Sequence, residues 1–397
     1  MFSLFRPYVE FLRRPRLAVL FAAAALTRMP ISMTALSLTL YLRQTLGNFA
    51  DAGLALGCYF VAIAAVAPAL GRLIDRWGPR IPLLVTGWLQ PLVLLALYFA
   101  AGAGLPLWLV LLLVVLAGVL PPPMTTITRT LWRQLFTSME ERRMAFSLDA
   151  IITELNFTLG PSLIGLVVAW YSPAEAFLVS IACNWLAFQV FLRSPLPGSW
   201  QASEPGERHW LGPLREGHLA MYLLVAFVMA LCFGMFEVAY PAYAVGMAAA
   251  GIAGLLMALN GLGSAFGGAL FGVWESERSV EQQFSLTLLV LALPFVLHAM
   301  FPALWAFLVV AFFGGLSVAP AMTALNLVTT KHAPAIYATE TQTWTATFIV
   351  SGFGGGMSLG GYLIETFSLR VMFWSGALIA VSMALCAWWL QSATAKR

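Results

Sequence analysis

The chain has 397 residues, of which 61% are hydrophobic and 10% charged, and its mean hydropathy is +0.87. A soluble fold of that size cannot hide so much apolar surface, so the composition excludes a soluble protein. A net charge of +4 points on its own toward nucleic acid. The basic residues are spread among short loops, however, so no nucleic-acid partner is expected.

Apolar runs of about 20 residues or more recur along the whole length, which signals membrane helices rather than the alternation of a barrel. Hydropathy and breakers place twelve spans at 17–44, 50–71, 81–101, 106–134, 145–171, 174–193, 219–246, 248–273, 284–302, 304–329, 338–364 and 370–391. The opening, "MFSLFRPYVEFLRRPRLAVLFAAAAL", carries the basic flank of a signal peptide. Its apolar stretch runs past position 40 and therefore reads as an uncleaved first helix. Within that helix Arg28 stands just before Pro30. A charge at a helix centre costs roughly 2.5–3.5 kcal/mol on insertion, so Arg28 needs a partner.

Between spans 2 and 3 stands "GRLIDRWGPRIPLL", residues 71–84. Gly71 permits close helix approach, and Asp75 can cap a helix N-terminus whose dipole favours an anion. The stretch resembles the cytoplasmic signature of the major facilitator superfamily, G-x-L-x-D-R-x-G-R-K-x-x-L. Gly71, Leu73, Asp75, Arg76, Gly78, Arg80 and Leu83 match, while Pro79 departs where a basic residue is usual. The resemblance implies an all-α membrane fold of twelve transmembrane helices in two pseudo-symmetric six-helix bundles. It also implies a cytoplasmic gate built from Gly71, Asp75, Arg76, Gly78 and Arg80. Arg133, near the cytoplasmic end of span 4, either belongs to that gate or snorkels to lipid headgroups.

In span 5, "NFTLGPSLIG" at 156–165 is similar to the glycine-proline motif of drug/proton antiporters in the same superfamily. Gly160, Pro161 and Gly165 fit, whereas Asn156 and Ile164 stand where glycine is typical. Pro161 bends the helix and the glycines allow close approach. This likeness implies export.

Span 5 also supplies a partner for Arg28. Arg28 lies about 12 residues, or ~18 Å, along span 1, and Glu154 about 10 residues, or ~15 Å, along the parallel span 5. Helices 1 and 5 both line the central cavity in the superfamily, so the two charges are expected to pair near the midplane. Pro30 leaves the Leu26 carbonyl without its helical donor, as a second acceptor for the guanidinium. An intramembrane ionisable pair reads as functional, with a static packing pair as the alternative. Further along, Glu237 in span 7 and Asn260 in span 8 are polar residues in cavity-facing spans. Gln90 beside Pro91 sits in span 3, which in the superfamily supports rather than lines the cavity, and His298 is expected at an outer interface. The cysteines Cys58, Cys183, Cys232 and Cys386 share no metal spacing and read as packing residues, with no metal or cofactor.

The polar stretch 194–218 separates residues 1–193 from 219–397 as a linker between two six-helix halves. The halves match at a shift of 197 residues: Gly57 with Gly254, Gly118 with Gly315 and Pro123 with Pro320. Loop arginines and lysines number seventeen on the side of both termini and two, Arg43 and Arg370, on the other, which puts termini and linker in the cytoplasm. No G-x-x-x-x-G-K-[ST] loop occurs, so direct ATP use is not expected. The reading is a non-enzymatic, monomeric secondary transporter in a bacterial inner membrane, moving a small organic molecule by alternating access. Proton-coupled export stands first. Uptake of an anionic or zwitterionic metabolite, and lipid scrambling, are the alternatives.

Overall fold

In lipid every backbone polar group must be satisfied within its own segment, and apolar runs of this length therefore fold as helices. The computed structural model describes residues 15–135, 139–194, 217–273, 277–333 and 338–394. Among them the first half contains α1 (Pro15–Leu46), α2 (Phe49–Trp77), α3 (Arg80–Gly102), α4 (Leu107–Val119), α5 (Met124–Leu135), α6 (Met139–Trp170) and α7 (Pro173–Arg193). The second half contains α8 (Gly217–Gly246), α9 (Ile252–Val273), α10 (Val280–Met300), α11 (Leu304–Gly315), α12 (Val318–His332), α13 (Ala338–Thr366) and α14 (Leu369–Thr394).

These helices make the twelve expected passes, with one difference in form. The fourth and tenth spans are broken, into α4 with α5 and α11 with α12. In the first break Pro121, Pro122 and Pro123 remove three consecutive backbone donors, which no helix interior tolerates. In the second, Gly314 and Gly315 end α11, and the Ser317 hydroxyl donates to the Gly314 carbonyl at 2.8 Å. Gly118 and Pro123 flank the first break as Gly315 and Pro320 flank the second, so the sequence repeat is also a repeat of local shape.

Eleven spans are long and apolar enough to cross a bilayer among the described residues. The remaining pass, α6, is 32 residues long, but its uniformly apolar part is only Leu155–Trp170. Its first half carries Asp149 and Glu154. Short connections force neighbouring helices antiparallel. Asn48 caps α2 by accepting from the Asp51 amide at 2.7 Å, and Gly78 ends that helix at φ +76°, a conformation open to glycine. Ser279 and Gln282 form a reciprocal capping box on α10.

Helices α1 to α7 pack into one bundle and α8 to α14 into the other. In the first, α1 lies against α6 and α7, and Gln90 of α3 bonds the Ala117 carbonyl at 3.1 Å and Asn184 of α7 at 3.0 Å. Outward-facing Trp88, Trp108, Trp170, Trp305, Trp388 and Trp389 are exposed, as an aromatic belt meeting lipid requires. Two seams join the bundles, α2 against α13 and α6 against α9.

Candidate functional site

Arg28 and Asp149 are both buried, at 4% and 2% exposure, in the middle of the first bundle. The Arg28 guanidinium forms an ion pair with the Asp149 carboxylate and donates to the Ala24 carbonyl at 2.9 Å. This corrects one expectation and adds an acid to another. The carbonyl used is that of Ala24, one turn back on the same helix, rather than the Leu26 carbonyl freed by Pro30. The acid observed on Arg28 is Asp149; the side chain of Glu154 lies outside the described residues. Helix α6 begins at Met139, well before the expected 145, and the residue about ten positions in is therefore Asp149. Spacing could have found it, because Asp149, Thr153, Asn156 and Gly160 recur on one face at helical intervals.

That face continues along α1. Asn156 is buried and its amide donates to the Ala25 carbonyl at 3.0 Å, while Ser32 donates to the Asn156 carbonyl at 2.9 Å. Gly160 stands against Ser32, where any Cβ would collide with the hydroxyl. Asn156 and Gly160 thus hold α6 on α1 two and three turns beyond Asp149.

In the second bundle, Glu237 on α8 is half-buried and makes no hydrogen bond or ion pair among the described residues. One turn on, the Tyr240 hydroxyl lies 3.4 Å from the Asn260 amide of α9, which also donates to the Ala311 carbonyl at 3.2 Å. His298 is not interfacial. It is 2% exposed, places Nδ1 2.7 Å from the Pro294 carbonyl, and stacks on Phe373 with ring centres 5.0 Å apart. Its place on the inner face of α10, among Phe236, Tyr240 and Phe307, overrides its nearness to the helix end. Pro30, Pro161 and Pro241 lie inside α1, α6 and α8.

The signature loop is only partly described: the side chains of Asp75, Arg76 and Arg133 lie outside the described residues. Arg80 is exposed at the start of α3. Among the described residues, a methyl built on Gly71 would meet nothing within 4 Å. Close approach occurs at the opposite end. We call the end where α1 begins and α14 finishes the terminal side, and the other the distal side.

On the distal side of the α2–α13 seam, a methyl on Gly53 would lie 2.5 Å from the Met357 carbonyl and one on Gly57 would lie 2.8 Å from the Gly354 carbonyl. Across the α6–α9 seam, a methyl on Gly165 would lie 2.8 Å from the Gly251 carbonyl, and one on Gly254 2.7 Å from the Gly165 Cα. Gly254 also abuts the Pro161 carbonyl. The pair Gly57 and Gly254, matched by the 197-residue shift, therefore closes one seam each.

A further charged cluster was not foreseen. Glu281, buried in the first turn of α10, accepts from Lys331 Nζ at 2.7 Å and lies 3.0 Å from His332 Nε2. The His332 ring centre is 5.1 Å from that of Tyr222 on α8. The cluster ties three helices together on the terminal side of the second bundle, where at the same 197-residue shift Gly272 and Val273 stand in place of Asp75 and Arg76. A paired Lys331 and His332 at a helix C-terminus was the available signal.

The description Major Facilitator Superfamily matches residues 20–348 and 222–397. No curated protein sequence matches the chain. Among solved structures, the nucleoside transporter NupG is similar at a TM-score of 0.77 and 12% identity, covering 94% of this chain and 98% of that one. A bacterial homologue of the iron transporter ferroportin, in an inward-facing state, has a TM-score of 0.74 at 14% identity, covering 94% and 98%. A peptide transporter of the POT type has a TM-score of 0.73 at 15% identity, covering 94% and 93%. At such identities these likenesses speak for the fold alone. Two six-pass bundles joined along paired seams, and a sequence match over nearly the whole length, together establish that the chain belongs to the major facilitator superfamily and is a membrane transporter of that type.

Proposed function

We propose that the protein is a secondary active transporter that exports a small organic molecule in exchange for protons, by alternating access between its bundles. The observation that carries this reading is the one-sided seal. Every close approach named above between the bundles lies on the distal side, whereas among the described residues a methyl on Gly71, near the terminal side, meets nothing within 4 Å. Closing the terminal ends of the same helices while parting the distal ends would move the opening from one face to the other. With the arginine-rich loops in the cytoplasm, the terminal side is the inner face, and the arrangement corresponds to an inward-facing state. The bundles are then residues 1–193 and 219–397, linked by 194–218 in the cytoplasm, and the molecule works as a monomer in a bacterial inner membrane.

The Arg28–Asp149 pair supplies a means of proton coupling. Protonating Asp149 would weaken its hold on Arg28 and free the guanidinium for an anionic group or another helix. Reforming the pair would reverse that step, so proton and cargo compete for one arginine. Asn156 positions the acid-bearing helix. Glu237, with Asn260 close by, is the second carboxylate available to carry a proton, and Glu154 the third. The Gly160–Pro161 pair favours export, by its likeness to antiporters.

The test is substrate-dependent proton movement in reconstituted vesicles, screened over a panel of metabolites and drugs. The Asp149→Asn variant, which mimics the protonated acid, is expected to lose gradient-driven transport while retaining exchange. Full gradient-driven transport by that variant would move the coupling to Glu237. Movement of substrate with the proton gradient, rather than against it, would replace export by uptake.

A further inference from the structure

The two distal seams are not equivalent, and the difference lies in how each satisfies a helix N-terminus. The first amides of any helix have no intrahelical acceptor. At the start of α9 they are satisfied locally: Ile252 donates to the Ala249 carbonyl at 2.9 Å and Ala253 to the Ala250 carbonyl at 3.2 Å. The start of α2 is different. Asn48 caps the Asp51 amide, but the amide of Phe49, the first helical residue, donates to Glu365 Oε2 at 2.8 Å. Glu365 belongs to α13, in the other bundle. Beside it, the Ser358 hydroxyl of α13 donates to the Gly53 carbonyl of α2 at 3.3 Å.

We propose that Glu365 is a latch that holds the distal side shut by capping α2 across the seam, and that distal opening begins by breaking this one contact. A carboxylate at a helix N-terminus gains from the charge-assisted bond and from the helix dipole together. Parting α2 from α13 strips Phe49 of its acceptor, a loss that parting α6 from α9 does not incur. The α6–α9 seam, built of Gly165, Gly251 and Gly254 with no bond to the first amides of α9 from α6 among the described residues, then serves as the pivot, and α2–α13 as the edge that opens. Arg43 reinforces the closed edge. Its guanidinium lies 5.2 Å from the centre of the Phe49 ring, so it holds the residue whose amide the latch engages. Glu365 is exposed, so the latch is reached from distal water and is weak enough to cycle.

The inference takes alternating access as its frame and is tested by distance rather than by transport. Spin labels at Gln44 of α1 and Val371 of α14, both exposed on the distal side, report the separation of the bundles in a chain whose four cysteines are replaced by alanine. Glu365→Ala is expected to raise the population at longer distance by about fivefold, and Glu365→Gln, which keeps an acceptor oxygen, by much less. Phe49→Pro removes the donor instead. Proline is accepted at a first helical position, and Asn48 already has the extended φ −143° and ψ 159° that a following proline demands. Combined with Glu365→Ala it should widen the distal side no further than Phe49→Pro alone, because Phe49→Pro already breaks the bond that Glu365→Ala breaks and also removes the ring that Arg43 holds. Unchanged distances in both single variants, fully additive effects, or a Gln variant that opens as far as Ala would each overturn the latch. An unchanged distance distribution in a chain that still exchanges substrate leaves alternating access standing. Widening in a chain that moves no substrate keeps the latch and sinks the transport reading.

Discussion

Arg28 shows what a single charge demands of a membrane protein. Its insertion cost is offset by Asp149 and by the Ala24 carbonyl, both reached without leaving the interior of the first bundle. Removing one partner takes from the other the counter-charge of this pair, so Asp149→Ala should destabilise the protein by about 3–5 kcal/mol. Thermal unfolding in detergent should show that loss. The double variant Arg28→Met, Asp149→Leu should recover most of it, because two apolar side chains of similar volume replace a desolvated pair. If the double variant is as unstable as the single, the pair contributes specific packing beyond its charge. The need for a partner was legible in the sequence, as was the helix that supplies it. The part played by Asp149 was not, because its depth depends on where α6 begins. Hydropathy marks where a helix becomes apolar, whereas the first turns of α6, from Met139 onward, are polar in sequence and leave no apolar trace.

At the scale of elements the glycines divide by what they touch. Gly57 and Gly254 each stand where an added methyl group would collide with the facing helix, Gly57 against Ser358 and Gly254 against Pro161. Gly57→Ala and Gly254→Ala should therefore disfavour the distal-closed state, read as faster labelling of a cysteine at Ser358 from the distal side. Gly71→Ala meets open space in this arrangement and should leave that labelling unchanged. Loss of transport in the same variant would locate its contact in the opposite state. The repeat had paired Gly57 with Gly254 and Gly118 with Gly315 from sequence alone, and the structure uses both pairs: the first at the seams, the second where α4 packs on α2 and α11 on α9. The breaks in spans 4 and 10 were less legible. Prolines at 121–123 announce one of them, but mean hydropathy runs straight through both. The burial of His298 was misjudged for a related reason: position along a helix gives depth, while rotation about its axis decides between core and lipid.

For the whole molecule, two bundles of like topology fix the possible motions to a small set, since among the described residues only α2–α13 and α6–α9 connect them extensively. The topology itself is open to a direct check. A cysteine at Ser203, in the linker, should react with an impermeant reagent only from the cytoplasmic face. Reaction from outside would overturn the orientation drawn from the arginine count. One consequence of the seams concerns entropy. Where glycine meets backbone, closing the distal side immobilises almost no rotamers, unlike a gate of lysines, methionines or glutamines that surrenders up to about 2 kcal/mol for each side chain frozen. The seal can thus be watertight by sheer proximity of main chains and yet leave the two states nearly balanced. A modest difference in how cargo or proton favours one state is then enough to turn the molecule over.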